Sequence, residues 1–208
     1  MVNIFENDSH DHTKEFFDKW QKDNHKVTII SEDFHNKKRP SIKFLADIRN
    51  RYLDKLLQDK QYRDFDLVIM LDMDMFFGFD VRGILDSLAK IQDWDVVCSN
   101  GITRGNRMYD AFAFRSDTFP WSPDKEDYWS IIVPSIQKIY NPNTGLVSVH
   151  SCFGGMAIYK KNFLQGCRYD SIKEDCEHVY LHQCMREKNK ARITMNPTQI
   201  VRYSHWRQ

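Results

Sequence analysis

The stretch DLVIMLDMDMFF, residues 66–77, constrains this chain more than any other. Five consecutive apolar residues, Leu67–Leu71, read as a strand buried on both faces. Such a run then ends on two carboxylates, Asp72 and Asp74, one residue apart. Alternate residues of an extended segment project to the same side, so both carboxylates can face one point just beyond the strand. In an open α/β sheet that carboxyl edge is where ligands bind. Two like charges this close repel, and one must protonate unless a cation lies between them. A divalent ion with a preference for oxygen, magnesium or manganese, removes the conflict and keeps coordination positions for phosphates. The plainer reading is a solvated turn or helix cap after a core strand. The apolar MFFGF that follows favours the metal.

The rest of the chain supplies a frame for such an edge. Short apolar runs alternate with longer amphipathic ones. Strands are predicted at Val2–Phe5, Val27–Ile30, Leu67–Leu71, Asp95–Ser99, Met108–Phe114, Leu146–His150, Met156–Tyr159 and Gln199–Tyr203. Helices are predicted at Thr13–Lys22, Ser41–Leu57 (with Pro40 near its start), Val81–Ile91 and Glu174–Glu187. The segment Ser116–Asp127, with two prolines, reads as a surface loop. This order implies an α/β sandwich around a mostly parallel sheet. With 208 residues, 41% of them hydrophobic, one α/β unit can bury a substantial core.

Composition excludes several classes of partner. A net charge of +1 provides no strong field for nucleic acid or for a membrane surface. No apolar run is long enough to span a bilayer, and the N-terminus lacks the basic and apolar regions of a signal peptide. The five cysteines, Cys98, Cys152, Cys167, Cys176 and Cys184, are scattered and form no CxxC pair. They read as reduced thiols of a cytoplasmic protein.

Four further features carry polar groups in telling places. On the helix SIKFLADIRNRYLDKLL, Arg49 falls near the middle of the face formed by Ile42, Leu45, Ala46, Tyr52, Leu53, Leu56 and Leu57. A guanidinium there needs an anionic partner, either an internal carboxylate or a ligand phosphate. The turn Glu6-Asn7-Asp8-Ser9 closes the first strand, as a nucleoside contact or as a cap for the helix near Thr13. KEDCEHVYLHQCMR places Glu174, Asp175, Glu177, His178 and His182 at a helix start, where acids complement the dipole. A carboxylate there can also serve as a general base if it reaches an acceptor hydroxyl. His205, after the last strand, is an ordinary terminal residue or a nitrogen ligand for a metal.

These pieces, in this order, resemble the GT-A glycosyltransferases. The resemblance is to the fungal capsule-associated mannosyltransferase-like family and to related viral domains, such as the glycosyltransferase domain of a chlorella-virus capsid glycosylation protein. It is carried by FENDSHDHT, FLADIRNRYL, VIMLDMDMFF, the Tyr109-Asp110 pair, SCFGGMAIY, EDCEH and MNPTQIVRY, over nearly the whole chain. It implies a single GT-A (Rossmann-like) α/β/α sandwich with a mixed, mostly parallel central sheet over residues 1–208. Because the chain begins at VNIFEN and stops just after His205, it reads as a domain cut from a longer protein.

By the resemblance, Glu6, Asn7 and Arg49 lie along the nucleotide. Asp72 meets the ribose and the metal, and Asp74 holds the metal on the diphosphate. Asp110, Gly154 and Gly155 border the sugar and acceptor. Asp175 is the base, with Glu177 in reserve, and His205 completes the metal shell. The implied reaction is inverting transfer from a nucleoside-diphosphate sugar, UDP-sugar favoured, to a hydroxyl on a glycan or glycoprotein, dependent on Mn2+ or Mg2+. Two alternatives stand beside it. VIMLDMDM also resembles the DxDx(T/V) opening of haloacid-dehalogenase phosphatases, although Met75 and Phe76 stand where that family has a small or hydroxyl residue. The other is a nucleotide-sugar-binding module without turnover.

Overall fold

The computed structural model describes residues 1–34, 41–73, 75, 78–105, 107–120 and 140–203 of the chain. The expectations for Pro40, Asp74, residues 121–127 and His205 fall outside the described residues.

The first unit is small. Strand β1 (Val2–Asn7) runs parallel to β2 (Val27–Glu32), joined through helix α1 (Thr13–Asp23). Phe17 of α1 packs on Ile4 and Val27, with Trp20 at the rim. Helix α2 (Ile42–Gln58) follows. The Ser41 hydroxyl accepts the Phe44 N–H at 3.2 Å, so a serine cap starts it. Tyr52 of α2 meets Phe5 of β1 edge to face, which seats this unit on the helix.

The second unit is a five-stranded sheet. Its strands are β3 (Leu67–Leu71), β4 (Val96–Thr103), β5 (Val147–Ser148), β6 (Met156–Lys160) and β7 (Ile193–Tyr203), in the order β3-β6-β4-β7-β5. Helix α3 (Val81–Ala89) connects β3 to β4, and α4 (Glu177–Asn189) precedes β7. Alternation sorts the side chains to two faces. Val96, Cys98, Ala157 and Tyr159 face Ala46 and Leu53 of α2 and Leu181 and Met185 of α4. Val97, Ile158 and Leu67 face Trp94 and Ile84, on the α3 side.

The sheet is mixed rather than mostly parallel. Only β4 and β7 are parallel neighbours within it; β6 is antiparallel to both β3 and β4, and β5 is antiparallel to β7. The expected crossover from β3 through α3 to β4 is present, but β6 inserts between those two strands in the opposite sense. Pro197 falls in β7, where the partners of Ser99 and Asn100 jump from Asn196 to Ile200. A bulge is where a residue without an N–H can interrupt a ladder.

Three other expectations are corrected. Met108–Phe114 is not a strand. Met108 forms one bridge to Ile102, Asp110 turns left-handed at φ 64, and Ala111–Ala113 is a short 3-10 turn. Helix α4 begins at Glu177, not Glu174, because Ile172–Glu174 is a separate 3-10 turn and Asp175 is extended. Finally, the thiols are not all reduced. Cys98 is bonded to Cys152 and Cys167 to Cys184, leaving Cys176 free and buried. Separations of 54 and 17 residues hide such pairs from a spacing argument.

Asp95, 4% exposed, ties the starts of β4 and β7 to the end of β6. Its carboxylate accepts from Lys160 Nζ at 3.1 Å, from the Arg192 backbone N–H at 2.9 Å and from Arg192 Nε at 3.1 Å. Burial alone would raise its pKa; the hydrogen bonds from Arg192 and Lys160 outweigh it and hold the group below its usual 3.8. A depressed carboxylate stabilises the fold above its unfolded pKa, and that share is lost as pH falls. Asp95→Ala should therefore cost about 2 kcal/mol in urea unfolding at neutral pH. The gap to the parent should shrink as the medium is acidified.

Candidate active site

Strand β3 delivers Asp72 to the sheet edge, and the backbone fixes it there. The Asp72 N–H donates to the Gly155 carbonyl at 3.0 Å, tying the acidic segment to the glycine pair that opens β6. Arg49 then clamps the side chain. Its Nη2 donates to Asp72 Oδ1 at 3.0 Å while its Nε donates to Glu177 Oε1 at 2.9 Å. The guanidinium lies 5.2 Å from the centroid of the Phe153 ring. Burial alone would make Arg49 less basic, but the Asp72 and Glu177 carboxylates reverse that and raise its pKa above the ordinary value. The anionic partners that its place on an apolar face demands are thus found within the protein. Glu177 is the first residue of α4, where the helix dipole also favours its charge.

Beside this clamp the chain comes unusually close to itself. Gly154 has φ +64, and a Cβ on it would stand 2.3 Å from the Ser99 carbonyl oxygen. A Cβ on Gly101 would stand 2.8 Å from the Gly154 carbonyl oxygen, so two glycines meet where β4 passes the turn. The Gly154 N–H donates to Asp110 Oδ2 at 3.3 Å. Asp110, left-handed itself, is thereby brought to the same edge, as Asp and Asn residues tolerate that conformation. Burial, then the nearby Asp72 and Glu177 charges, push the Asp110 carboxyl up to about 8. Tyr109 stacks on Tyr203 at 4.0 Å, and Ser99, Gly101, Tyr109, Asp110 and Gly154 border a small hollow there, with room for about one water.

The structure therefore gathers Arg49, Asp72, Asp110, Gly154, Gly155 and Glu177. It keeps three of the other candidates apart from them. Asp175 is 4% exposed and paired with Arg115, whose Nη2 donates to its Oδ1 at 2.6 Å. The same guanidinium donates through Nη1 to the Phe112 and Phe114 carbonyls. Glu6 is buried, with its carboxylate taken by the Ser9 N–H at 2.8 Å and the Ser31 hydroxyl. Burial would raise its pKa, yet those bonds lower it. Asn7 donates to Asp8. Among the described residues no hydrogen bond links Glu6 or Asn7 to the Arg49 group.

His178 and His182 are both buried. His182 sits between the Ser151 hydroxyl at 3.0 Å and the Tyr159 hydroxyl at 3.1 Å. Burial pushes its pKa down to about 3, so it stays neutral. His178 stacks on the Phe153 ring at 3.9 Å. Among the described residues no group of three His, Cys, Asp or Glu side chains is arranged to hold a metal; Asp74 and His205 lie outside them. Two members of the arrangement escaped the sequence reading, Gly101 and Arg115. Gly101 carries a weak signal as a glycine inside an apolar strand. Arg115, after AFAF, carries none.

The family model for Cryptococcal mannosyltransferase 1 matches residues 1–186. Among solved structures, the crystal structure of A197 from STIV is similar to this chain at 17% identity and a TM-score of 0.46, over 93% of this chain and 80% of that one. No curated protein matches. No helix among the described residues is long and apolar enough to cross a membrane.

Arg115 has a testable structural weight. Arg115→Met leaves the Asp175 carboxylate buried without its cation, and breaking such a pair costs about 3–5 kcal/mol. The expected result is a large drop in melting temperature. The double variant Arg115→Met, Asp175→Leu should recover part of it.

Proposed function

Because the chain belongs to the Cryptococcal mannosyltransferase 1 family, we propose that it moves a glycosyl group from a nucleoside-diphosphate sugar to a hydroxyl on a glycan or glycoprotein. The observation that supports this most is the Arg49 clamp on Asp72 and Glu177 beside the Gly154–Gly155 turn. It sits past the end of β3, the place where α/β sheets bind ligands. The family name makes a hexose of the mannose type the first donor to test. UDP is the base favoured by the resemblance, and inversion the favoured outcome.

A divalent cation suits this edge on charge and on donor chemistry. Three carboxyl groups, those of Asp72, Asp110 and Glu177, act on one guanidinium. Arg49 takes Oδ1 of Asp72, and Oδ2 has no hydrogen-bond partner among the described residues. The donors are hard oxygens, as Mn2+ and Mg2+ require. Asp72 and Asp74 would hold the ion, which when bound neutralises charge on a diphosphate leaving group. Arg49 holds Asp72 in one orientation. Gly154 and Gly155 let the backbone pack directly against Ser99, Gly101, Met75 and Val201, which holds the edge beside Asp72 in place. Fixed alignment of this kind removes part of the barrier to joining two reactants.

A thermal-shift panel of UDP- and GDP-sugars, with and without Mn2+, tests the reading. A ligand at about 100 times its dissociation constant adds about 2.7 kcal/mol to folding stability. One sugar nucleotide should raise the melting temperature, and only with the cation present. Asp72→Asn should abolish that cation-dependent rise. If the Asn variant retains the full Mn2+-dependent shift, the assignment of Asp72 is wrong.

A further inference from the structure

A group that takes a proton from an acceptor hydroxyl needs an uncommitted lone pair, an opening to the surface and a fixed position. Four carboxyls stand near the candidate site, and their surroundings separate them. Asp72 and Glu177 share the Arg49 guanidinium, at 3.0 and 2.9 Å. Glu177 is also only 5% exposed. Asp175, 4% exposed, lies under Arg115 and accepts the Cys176 N–H at 2.7 Å as well. Asp110 differs on each count. It is partly exposed at the surface, it borders the small hollow beside Gly101 and Gly154, and among the described residues it has no ion pair.

Its position is nonetheless held. The Tyr109 N–H donates to the Gly101 carbonyl at 2.8 Å, and the Ala113 N–H donates to the Asp110 carbonyl at 3.1 Å. The Gly154 N–H fixes one carboxylate oxygen, Oδ2. Among the described residues no hydrogen bond occupies Oδ1. The turn that carries Asp110 is thus braced from both sides while one oxygen remains open.

We propose that Asp110 is the general base that receives the acceptor proton, an assignment that rests on the glycosyl-transfer reading above and replaces Asp175 in that role. The acceptor oxygen forms a bond to the anomeric carbon as its O–H proton passes to Asp110 in its ionised form, which a cation at the neighbouring Asp72 would favour. The bond from the anomeric carbon to the phosphate oxygen breaks, and its electron pair leaves with the nucleoside diphosphate. Solvent then takes the proton from Asp110. Asp175 remains a structural anchor that joins the segment before α4 to the Arg115 turn.

Asp110→Asn tests this directly, because Asn tolerates φ > 0 and keeps an acceptor oxygen for the Gly154 N–H. Turnover with a hydroxyl acceptor should fall about 10²–10⁴-fold. The dissociation constant for the sugar nucleotide and the melting temperature should match those of the parent. Azide, an acceptor with no proton to lose, should support equal nucleoside-diphosphate release by parent and variant. Hydroxyl transfer at the parental rate by the variant overturns the assignment. So does an equal loss with azide, which would place Asp110 in donor or cation positioning. A parent protein that releases no diphosphate from any sugar nucleotide fails at the earlier step and overturns the transferase reading with it.

Discussion

The fork of Arg49 between Asp72 and Glu177 is the interaction on which the arrangement of this protein turns. A guanidinium keeps its charge at any ordinary pH, so burying it beneath an apolar helix face obliges the fold to bring carboxylates to it. The two it receives lie 23 and 128 residues away in the chain. Meeting both at once sets α2, the end of β3 and the start of α4 against one another. The separate use of Nε and Nη2 also fixes direction, which a lysine, a point charge on a flexible stem, would not do.

The antiparallel insertion of β6 matters to the site as much as to the sheet. Because β6 lies between β3 and β4 and runs against both, its first residues sit at the end of β3 and beside the middle of β4. Gly154 and Gly155 therefore stand beside Asp72 and against Ser99 and Gly101 of β4. A parallel strand in that slot would have presented its other end. The close approach at Gly154 also leaves its N–H free to hold Asp110, so a backbone constraint positions a carboxyl group.

Behind the edge, residues 151–154 are secured several times over. Cys152 is bonded to Cys98 of β4, and Ser151 is tied through His182 to Tyr159 of β6. Phe153 lies between the Arg49 guanidinium and the His178 ring. The Ser151–His182–Tyr159 chain, a buried polar group with satisfied partners, resists rearrangement and helps the charged groups in front keep one geometry. His182 contributes in its neutral form, which suits one ring nitrogen to donate and the other to accept.

Much of the local structure was legible in the order of residues alone. The strand Leu67–Leu71 keeps its predicted bounds but is an edge strand with Ile69 half exposed rather than a buried one, and the serine at position 41 starts α2 as a capping residue should. The periodicity of that helix also exposed Arg49 as a charge in need of a partner. Periodicity misread Met108–Phe114, because one left-handed Asp110 breaks an alternating run that nothing nearby in sequence betrays. The sense of β6, the two disulfides and the pairing of Arg115 with Asp175 were decided only by the folded chain. Each depends on segments separated by tens of residues, and short-range pattern carries no information about which distant surfaces will meet. So the chain's own order specified which groups stand at the end of a greasy strand, while packing chose which carboxylate is clamped, which is sealed and which stays open.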